Sequence, residues 1–305
     1  MSITARPYHD IQDLRAMQSI LTAGRQADSP AYYIHPGDLS WWLFYSDEEQ
    51  LQGKICLWEW NNSLAGWSLL SNTTSTFDVF VQPQLHGRAI EAKILLWAEE
   101  YHARVLTGLQ HREIRTMWVS ETDRERIQWL EMRGFVPSSQ GMHALSRSLE
   151  GNLSAVSLPA GYRVRPVAGE SEVRLRAAVS HAAFGSAKPF EAYWPRMLRF
   201  MRSPVYQPEL DLVVVSPEGH FASFCLLWPD PVSRVGLFEP VGSHPDFRRQ
   251  GLARAVMAAG LHRLKSLGMR QAIVCVDSDN APALSLYQDI GFQKTSRLLI
   301  YQKQL

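Results

Sequence analysis

Apolar residues recur along this chain in two rhythms, every second position and every third or fourth, and the rhythms follow one another in the same order twice. In the second half, GYRVRPV (161–167) reads as a short strand. GESEVRLRAAVSHAAFG follows with Val173, Leu175, Ala178 and Ala182 at helical spacing. YWPRMLRFMRS predicts a second helix whose bulky face holds Trp194, Met197, Leu198 and Met201. Three β-rich runs come next, LDLVVVS, FASFCLLW and RVGLFEPV, with SPEGH as the turn between the first two. GLARAVMAAGLHRLKSLG then predicts a long helix, basic at His262, Arg263 and Lys265 near its end and stopped by Gly268. QAIVCVD, NAPALSLYQDIG and LLIYQKQL complete the half as strand, helix and strand.

The first half echoes this plan. DIQDLRAMQSIL predicts the opening helix, KICLWEW, LAGWSLL and FDVFVQ three strands, and GRAIEAKILLWAEEYHARV the long helix, followed by IRTMWVS and RERIQWLEMRGF. Gly134-Phe135 answers Gly291-Phe292, and Pro83 answers Pro245, once a longer helix-to-strand connection around TGLQHREIR is allowed for. The pattern predicts a duplication at domain scale. SRSLEGNLSAVSLPAG (146–161) has the Ser, Gly and Pro content of a connector, which divides the chain into 1–147, a linker 148–160, and 161–305.

Composition narrows the function classes. A length of 305 residues fits about two domains at roughly 100–200 residues each. Lys and Arg total 31 against 30 for Asp and Glu, so net charge favours neither nucleic acid nor an anionic membrane as partner. Cys56, Cys225 and Cys275 lie far apart in apolar runs, which argues against a disulfide frame or a zinc site and for small buried hydrophobes. MSITARPYHDIQDLRAM lacks the apolar core of a signal peptide, and no run reaches the ~18 apolar residues of a membrane span. A cytoplasmic protein without metal is the expectation.

The stretch PDFRRQGLARAV (245–256) carries the candidate chemistry. It joins an apolar strand to an apolar helix, where the first helical N–H groups point outward at the positive end of the dipole. Gly251 and Ala253 let another group approach the backbone, and Arg248 and Arg249 add charge. Such a turn suits a phosphate or pyrophosphate, although a basic surface turn capped by glycine has the same composition.

The spacing Arg248-x-x-Gly251-x-Ala253, trailed by a helix, a strand and NAPALSLYQDIGF, resembles the GNAT acyltransferase superfamily. That family carries Arg/Gln-x-x-Gly-x-Gly/Ala after its fourth strand and Asn-x-x-Ala-x-x-Leu-Tyr-x-x-x-Gly-Phe near its end, here Asn280, Ala283, Leu286, Tyr287, Gly291 and Phe292. The resemblance implies an α+β fold: two tandem GNAT-like domains, each a mixed, mostly antiparallel sheet flanked by helices. It implies that the fourth and fifth strands splay apart around the pantetheine of acetyl-CoA. Val241, Gly242 and Ser243 would then supply backbone partners, and Arg248, Arg249, Gln250, Gly251, Leu252 and Ala253 would cradle the diphosphate, with Asn280 part of the cofactor-binding set. Gly242 also reads as a β-bulge.

By the same resemblance, an N–H near Val241 serves as oxyanion donor and Tyr287 as general acid. Tyr287 alternatively reads as an amphipathic core residue. Glu239, a carboxylate in the apolar run RVGLFEPVG, is the candidate base, since burial raises its pKa into a useful range. It could equally pair with Arg234. Asp230, His244 and Asp277 are weaker candidates, while His181 and His220 read as helix-face and turn residues.

The first half departs from the motif. His86, Ala89 and Glu91 occupy the Arg, Gly and Gly/Ala slots, Leu130 the Tyr slot and Asp123 the Asn slot, so this half is expected neither to bind acetyl-CoA nor to catalyse. Its aromatic residues, Trp41, Trp42, Trp58 and Trp60, read as core before they read as a substrate wall. The whole resembles tandem GNAT enzymes with a degenerate amino-terminal half. The family's acceptor pocket falls on residues 181–206 here, with Phe184, Phe190, Tyr193, Trp194, Met197 and Met201. The expected activity is transfer of an acetyl group from acetyl-CoA to a primary amine of a small molecule. The alternatives are a peptide or protein amine, or an acyl-CoA-binding or protein-interaction module with weak turnover.

Overall fold

The computed structural model describes residues 3–27, 33–45, 54–71, 74–153 and 157–305. The first half runs β1 (Ile3–Pro7), α1 (Ile11–Gln26), α2 (Pro36–Tyr45), β2 (Ile55–Trp60), β3 (Ser63–Ser71), β4 (Thr76–Val81), α3 (Ala89–Gly108), β5 (Glu113–Ser120), α4 (Arg124–Met132) and β6 (Val136–Ser148). The second repeats the order: β7 (Arg163–Pro166), α5 (Val173–Ala183), α6 (Phe190–Met201), β8 (Asp211–Val215), β9 (Phe221–Asp230), β10 (Val235–Ser243), α7 (Leu252–Ser266), β11 (Gln271–Asp277), α8 (Ala281–Asp289) and β12 (Gln293–Gln304).

Among the described residues the twelve strands form one mixed sheet, ordered β1-β2-β3-β4-β5-β12-β6-β11-β10-β9-β8-β7. Of its pairings there, only β4 with β5 and β10 with β11 are parallel, so the expected mixed, mostly antiparallel sheet is borne out. At the centre the halves exchange their last strands. β12 pairs with β5 from Leu298↔Ser120 to Gln304↔Glu113, while β6 pairs with β11 from Gln271↔Ser148 to Asp277↔Met142. The connector was expected from residue 146, yet β6 continues through Ser148 as part of this seam.

Alternation along the strands splits the core into two faces. On β9, Phe224, Leu226 and Trp228 pack with α5 and α6 residues such as Val179, Met197 and Phe200, whereas Cys225 and Leu227 join Leu252, Val256, Met257, Leu261 and Leu264 of α7. Each of those buried aliphatic side chains contributes about 2 kcal/mol. Trp41 and Tyr45 of α2 belong to the α5–α6 cluster, so an amino-terminal helix completes the core of the carboxy-terminal lobe. Trp41 and Trp42, which the sequence reads as core, are on that helix, Trp41 buried and Trp42 half-buried.

The face of α5 differs from expectation. Leu175 is exposed, and the buried side holds Arg176, Ala177 and Val179. A helix in this position hides an arginine because Arg176 Nε lies 2.8 and 3.0 Å from the two oxygens of buried Asp211. Tyr206 Oη donates a further bond to Asp211 at 3.2 Å, and the guanidinium stacks 3.9 Å from the Phe224 ring centroid. Periodicity weighs apolar residues and has no way to register a buried ion pair.

Candidate functional site

The site begins where two parallel strands part. β10 and β11 pair only from Val235↔Gln271 to Leu237↔Ile273. Beyond that point β11 runs on along β6 to Asp277, and β10 runs on along β9 to Ser243. The divergence coincides with a bulge, as Phe238 pairs with Leu227 and Val241 with Cys225, leaving Glu239 and Pro240 opposite Leu226 alone. Pro240 has no N–H to give the ladder. The Glu239–Pro240 peptide is cis. Val241, Gly242 and Ser243 therefore form a stretch of β10 with no strand beside it on the β11 side.

Gly242 is not the bulge; the bulge precedes it. Its lack of a side chain is required by packing, since a Cβ there would lie 2.6 Å from Phe224 Cζ and 3.0 Å from Ala183 Cβ. Ser223 Oγ donates to the Gly242 carbonyl at 2.9 Å and so holds the strand in place.

A 3-10 turn, Pro245–Phe247, leads into the cradle. Arg249 has φ +61° and Gly251, the N-cap of α7, has φ +76°. The first bond of the helix is Ala255 N–H to Gly251 O at 3.0 Å. Among the described residues, the N–H groups from Arg249 to Arg254 have no acceptor. Open donors at the head of a 15-residue helix are of the kind that suits an anion. Nothing lies within 4 Å of a Cβ built on Gly251, so its glycine answers a backbone demand and leaves clear space above the amides. Arg248 and Gln250 are anchored at the rim: Arg248 Nη2 donates to Ala183 O at 3.3 Å and Tyr162 Oη to Gln250 Oε1 at 3.1 Å.

Tyr287 stands on α8 and is buried, yet its hydroxyl has no hydrogen-bond partner among the described residues. Burial first, and the Glu239 carboxylate second, push its phenol well above the ordinary range. Glu239 is half-buried and raised to about 8, chiefly by loss of water and then by Asp38 and Asp277. Among the described residues it forms no ion pair, with Arg234 or with any other cation. Asn280 caps α8, its Oδ1 accepting from Ala283 N–H at 3.2 Å. Asp230 accepts from Thr22 Oγ1, Ser233 Oγ and Val232 N–H, and His244 Nδ1 accepts from Asp246 N–H. Asp277 ends β11 and bears on Glu239 through its charge.

Two neighbours of Glu239 escaped the sequence reading. The carbonyl of Glu239 accepts from Trp228 Nε1 at 2.7 Å. Asp38, buried at the start of α2, is raised to about 7 by burial and accepts from His35 N–H at 2.7 Å. His35 Nδ1 accepts from Gly37 N–H at 2.9 Å, which puts its proton on Nε2, 3.2 Å from Val235 O. Burial drives that imidazole down to about 3, so it stays neutral. The HPGD run carried a helix-start signal, Pro at the first position and Asp at the third.

The amino-terminal half repeats the geometry with its openings filled. β4 and β5 pair only at Thr76↔Arg115 and Phe77↔Thr116, then diverge. Gly87 has φ +68° at the position matching Arg249, but its N–H donates to Glu91 Oε2 at 2.8 Å, and Glu91 Oε1 lies 3.8 Å from His86 Nε2. Arg126 Nη2 crosses from α4 to Val79 O at 3.2 Å. Leu130, in the tyrosine slot, is buried. A cavity of about 290 Å3 remains, lined among others by Asp78, Trp118, Arg126 and Trp129.

Comparison with known proteins agrees with this fold. Residues 179–292 match the model of the acetyltransferase (GNAT) family. A mycothiol acetyltransferase of Pseudarthrobacter chlorophenolicus is 27% identical over 55% of this chain and 54% of its own, so the match spans about half of that relative. One from Amycolatopsis mediterranei is 27% identical over 93% of both chains. Among solved structures, a tandem GNAT protein from the clavulanic acid biosynthesis pathway superposes with a TM-score of 0.71 at 14% identity, covering 99% of this chain and 98% of that one. A GCN5-related N-acetyltransferase from Sphaerobacter thermophilus gives 0.67 at 20% identity, covering 99% and 95%.

Proposed function

We propose that this chain, whose carboxy-terminal lobe matches the acetyltransferase (GNAT) family over residues 179–292, transfers an acetyl group from acetyl-CoA to a primary amine of a small molecule, by direct attack in a ternary complex. The observation that carries this reading is the run of unpaired amides from Arg249 to Arg254 at the head of α7. Donors of this kind contribute about 1.5–3 kcal/mol each to a charged acceptor, enough together to hold a diphosphate without a metal ion. Among the described residues no His, Cys, Asp and Glu group suited to a metal is present.

The chemistry divides among the residues around the bulge. Glu239 takes the proton from the acceptor's ammonium, directly or through water, so that a neutral amine attacks the thioester carbonyl. The N–H of Val241 receives the negative charge that develops on the carbonyl oxygen. As the new C–N bond forms and the C–S bond breaks, Tyr287 gives its proton to the departing sulfur, and the surplus proton on the new amide nitrogen leaves through water to restore the phenol. The raised phenol stays protonated at every working pH, which suits a donor. Its proton transfer is uphill to a thiol of pKa about 8.5, so it is driven by the collapse of the intermediate rather than by acidity.

The name carried by the relatives supports a small-molecule acceptor, whereas Tyr193, Met197 and Met201, expected at the acceptor pocket, are packed in the core. The first half, with Glu91 and Arg126 bonded into its own slot, is assigned a shaping role without cofactor binding, within the division 1–147, 148–160 and 161–305. The reading carries a cytoplasmic location with it. Among the described residues no helix is long and apolar enough to cross a membrane.

Acetyl-CoA with glucosamine, 2-phenylethylamine or a free dipeptide, followed by release of thiol, tests the proposal. Turnover with one of the first two supports it, turnover with the dipeptide alone moves the acceptor to peptide amines, and binding without turnover leaves an acyl-CoA-binding module.

A further inference from the structure

The bulge that carries the reacting groups lacks ladder support of its own. Glu239 and Pro240 have no paired residues on β9, Pro240 has no N–H, and β11 has already turned away. A carbonyl at such a point needs another donor, because a partly buried acceptor left unpaired costs about 1–3 kcal/mol. Trp228 supplies it, with Nε1 2.7 Å from Glu239 O. That bond fixes the Glu239–Pro240 peptide plane, which sets both where the Glu239 side chain leaves the backbone and how the Val241 N–H is aimed.

Trp228 is itself held from the other half of the chain. A Cβ placed on Gly37, at the start of α2, would lie 2.3 Å from Trp228 Cβ and 2.5 Å from Trp228 Cγ. Gly37 is in ordinary φ space, so its lack of a side chain is a demand of packing, chiefly against Trp228, with His35 Nδ1 also 3.0 Å from such a Cβ. Alongside it, His35 Nε2 bonds to Val235 O at the root of β10. The amino-terminal lobe thus grips β10 at its root and, through Trp228, at its bulge.

We infer that Trp228 is a positioning residue for acyl transfer and that Gly37 of the amino-terminal lobe holds it in register, so that the lobe without the binding motif sets the geometry of the reacting strand. This rests on the roles proposed above for Glu239 and Val241. Trp228 and Gly37 touch the reacting groups only through the backbone; they act on the rate of the chemical step and leave the diphosphate cradle alone.

Trp228→Phe keeps a ring and removes the N–H; Gly37→Ala leaves the carboxy-terminal sequence untouched and pushes on Trp228 from the other side. Each is assayed as the full chain with acetyl-CoA and whichever of glucosamine, 2-phenylethylamine or dipeptide turns over fastest. Acetyl-CoA sites are titrated by calorimetry so that kcat is expressed per intact site. Both variants are expected to lose about five- to tenfold in kcat, the loss of one hydrogen bond's worth of positioning, with Kd and KM for acetyl-CoA unchanged. Values of kcat per site within about twofold of wild type in both variants overturn the inference and leave the proposed function standing. A parallel loss of acetyl-CoA affinity overturns it as well, since that marks general loosening of the lobe. A wild-type chain that neither binds acetyl-CoA nor turns over overturns the functional reading itself.

Discussion

The carboxylate of Glu91 accepts a hydrogen bond from the N–H of Gly87 at 2.8 Å, at the turn whose counterpart in the second half leaves its amides open. One fold has thus been used twice, once with an anion built into the chain and once with room for an anion from outside. The two turns share the 3-10 lead-in and the positive φ, at Gly87 and at Arg249. They differ in whether a carboxylate four residues on reaches back.

That difference gives the first prediction. Gly251→Glu places a carboxylate at the mouth of the open cradle and forces a side chain into φ +76°, and it is expected to abolish acetyl-CoA binding. Ala89→Glu, at the matching position of the first half, is expected to leave affinity and stoichiometry as in the wild type. Calorimetric titration of both variants reads the outcome.

Tyr287→Phe is expected to lower kcat by about a hundredfold or more, the usual contribution of a positioned acid, with acetyl-CoA affinity retained. Its hydroxyl has no structural hydrogen bond to lose among the described residues, so thermal stability is expected to change little. A variant that keeps wild-type turnover removes Tyr287 from the mechanism.

The pH dependence follows from Glu239. A base must be ionised, so kcat/KM is expected to rise with pH and level off above about 8, and Glu239→Gln is expected to flatten that limb. Stability moves the opposite way. The folded-state pKa lies above the ordinary 4.5, so between 4.5 and about 8 the folded chain binds more protons than the unfolded one and stability falls as pH rises. Glu239→Gln removes that part of the slope, while Asp38, raised to about 7, keeps another part in the same direction. Chemical denaturation of both proteins at several pH values measures it.

Asp211→Asn is expected to destabilise the fold by about 3–5 kcal/mol, because it leaves Arg176 buried without its counter-charge. Replacing both, with Arg176→Met and Asp211→Leu, is expected to recover much of that loss. Urea titration of the three proteins checks it.

Much of this was legible in the sequence because local signals and the fold agreed. Arg248, Gly251 and Ala253 mark a strand-to-helix turn, Asn280 is a helix cap in its own right, and the alternation on β8 to β10 gave the sheet its two faces. What stayed hidden depends on partners distant in the chain. β6, written VPSSQGMHALSRS, shows little apolar alternation and runs at Ser146 into the expected connector, and its place as a strand comes from pairing with β11 on one side and β12 on the other. The exchange of last strands between the halves has no local signature either. Gly37 has only helix-start residues around it in sequence, and the need for a glycine there comes from Trp228, distant in the chain. Glu91 in sequence is only a departure from the Gly/Ala slot of the motif, and its bond to the Gly87 N–H becomes visible in the fold.

Calorimetric titration of the full chain with acetyl-CoA, repeated on Gly251→Glu, tests the claim that the open amides at the head of α7 hold a coenzyme A diphosphate. One site per chain that vanishes with Gly251→Glu is the expected result; no binding by the wild type, or binding indifferent to Gly251→Glu, contradicts it.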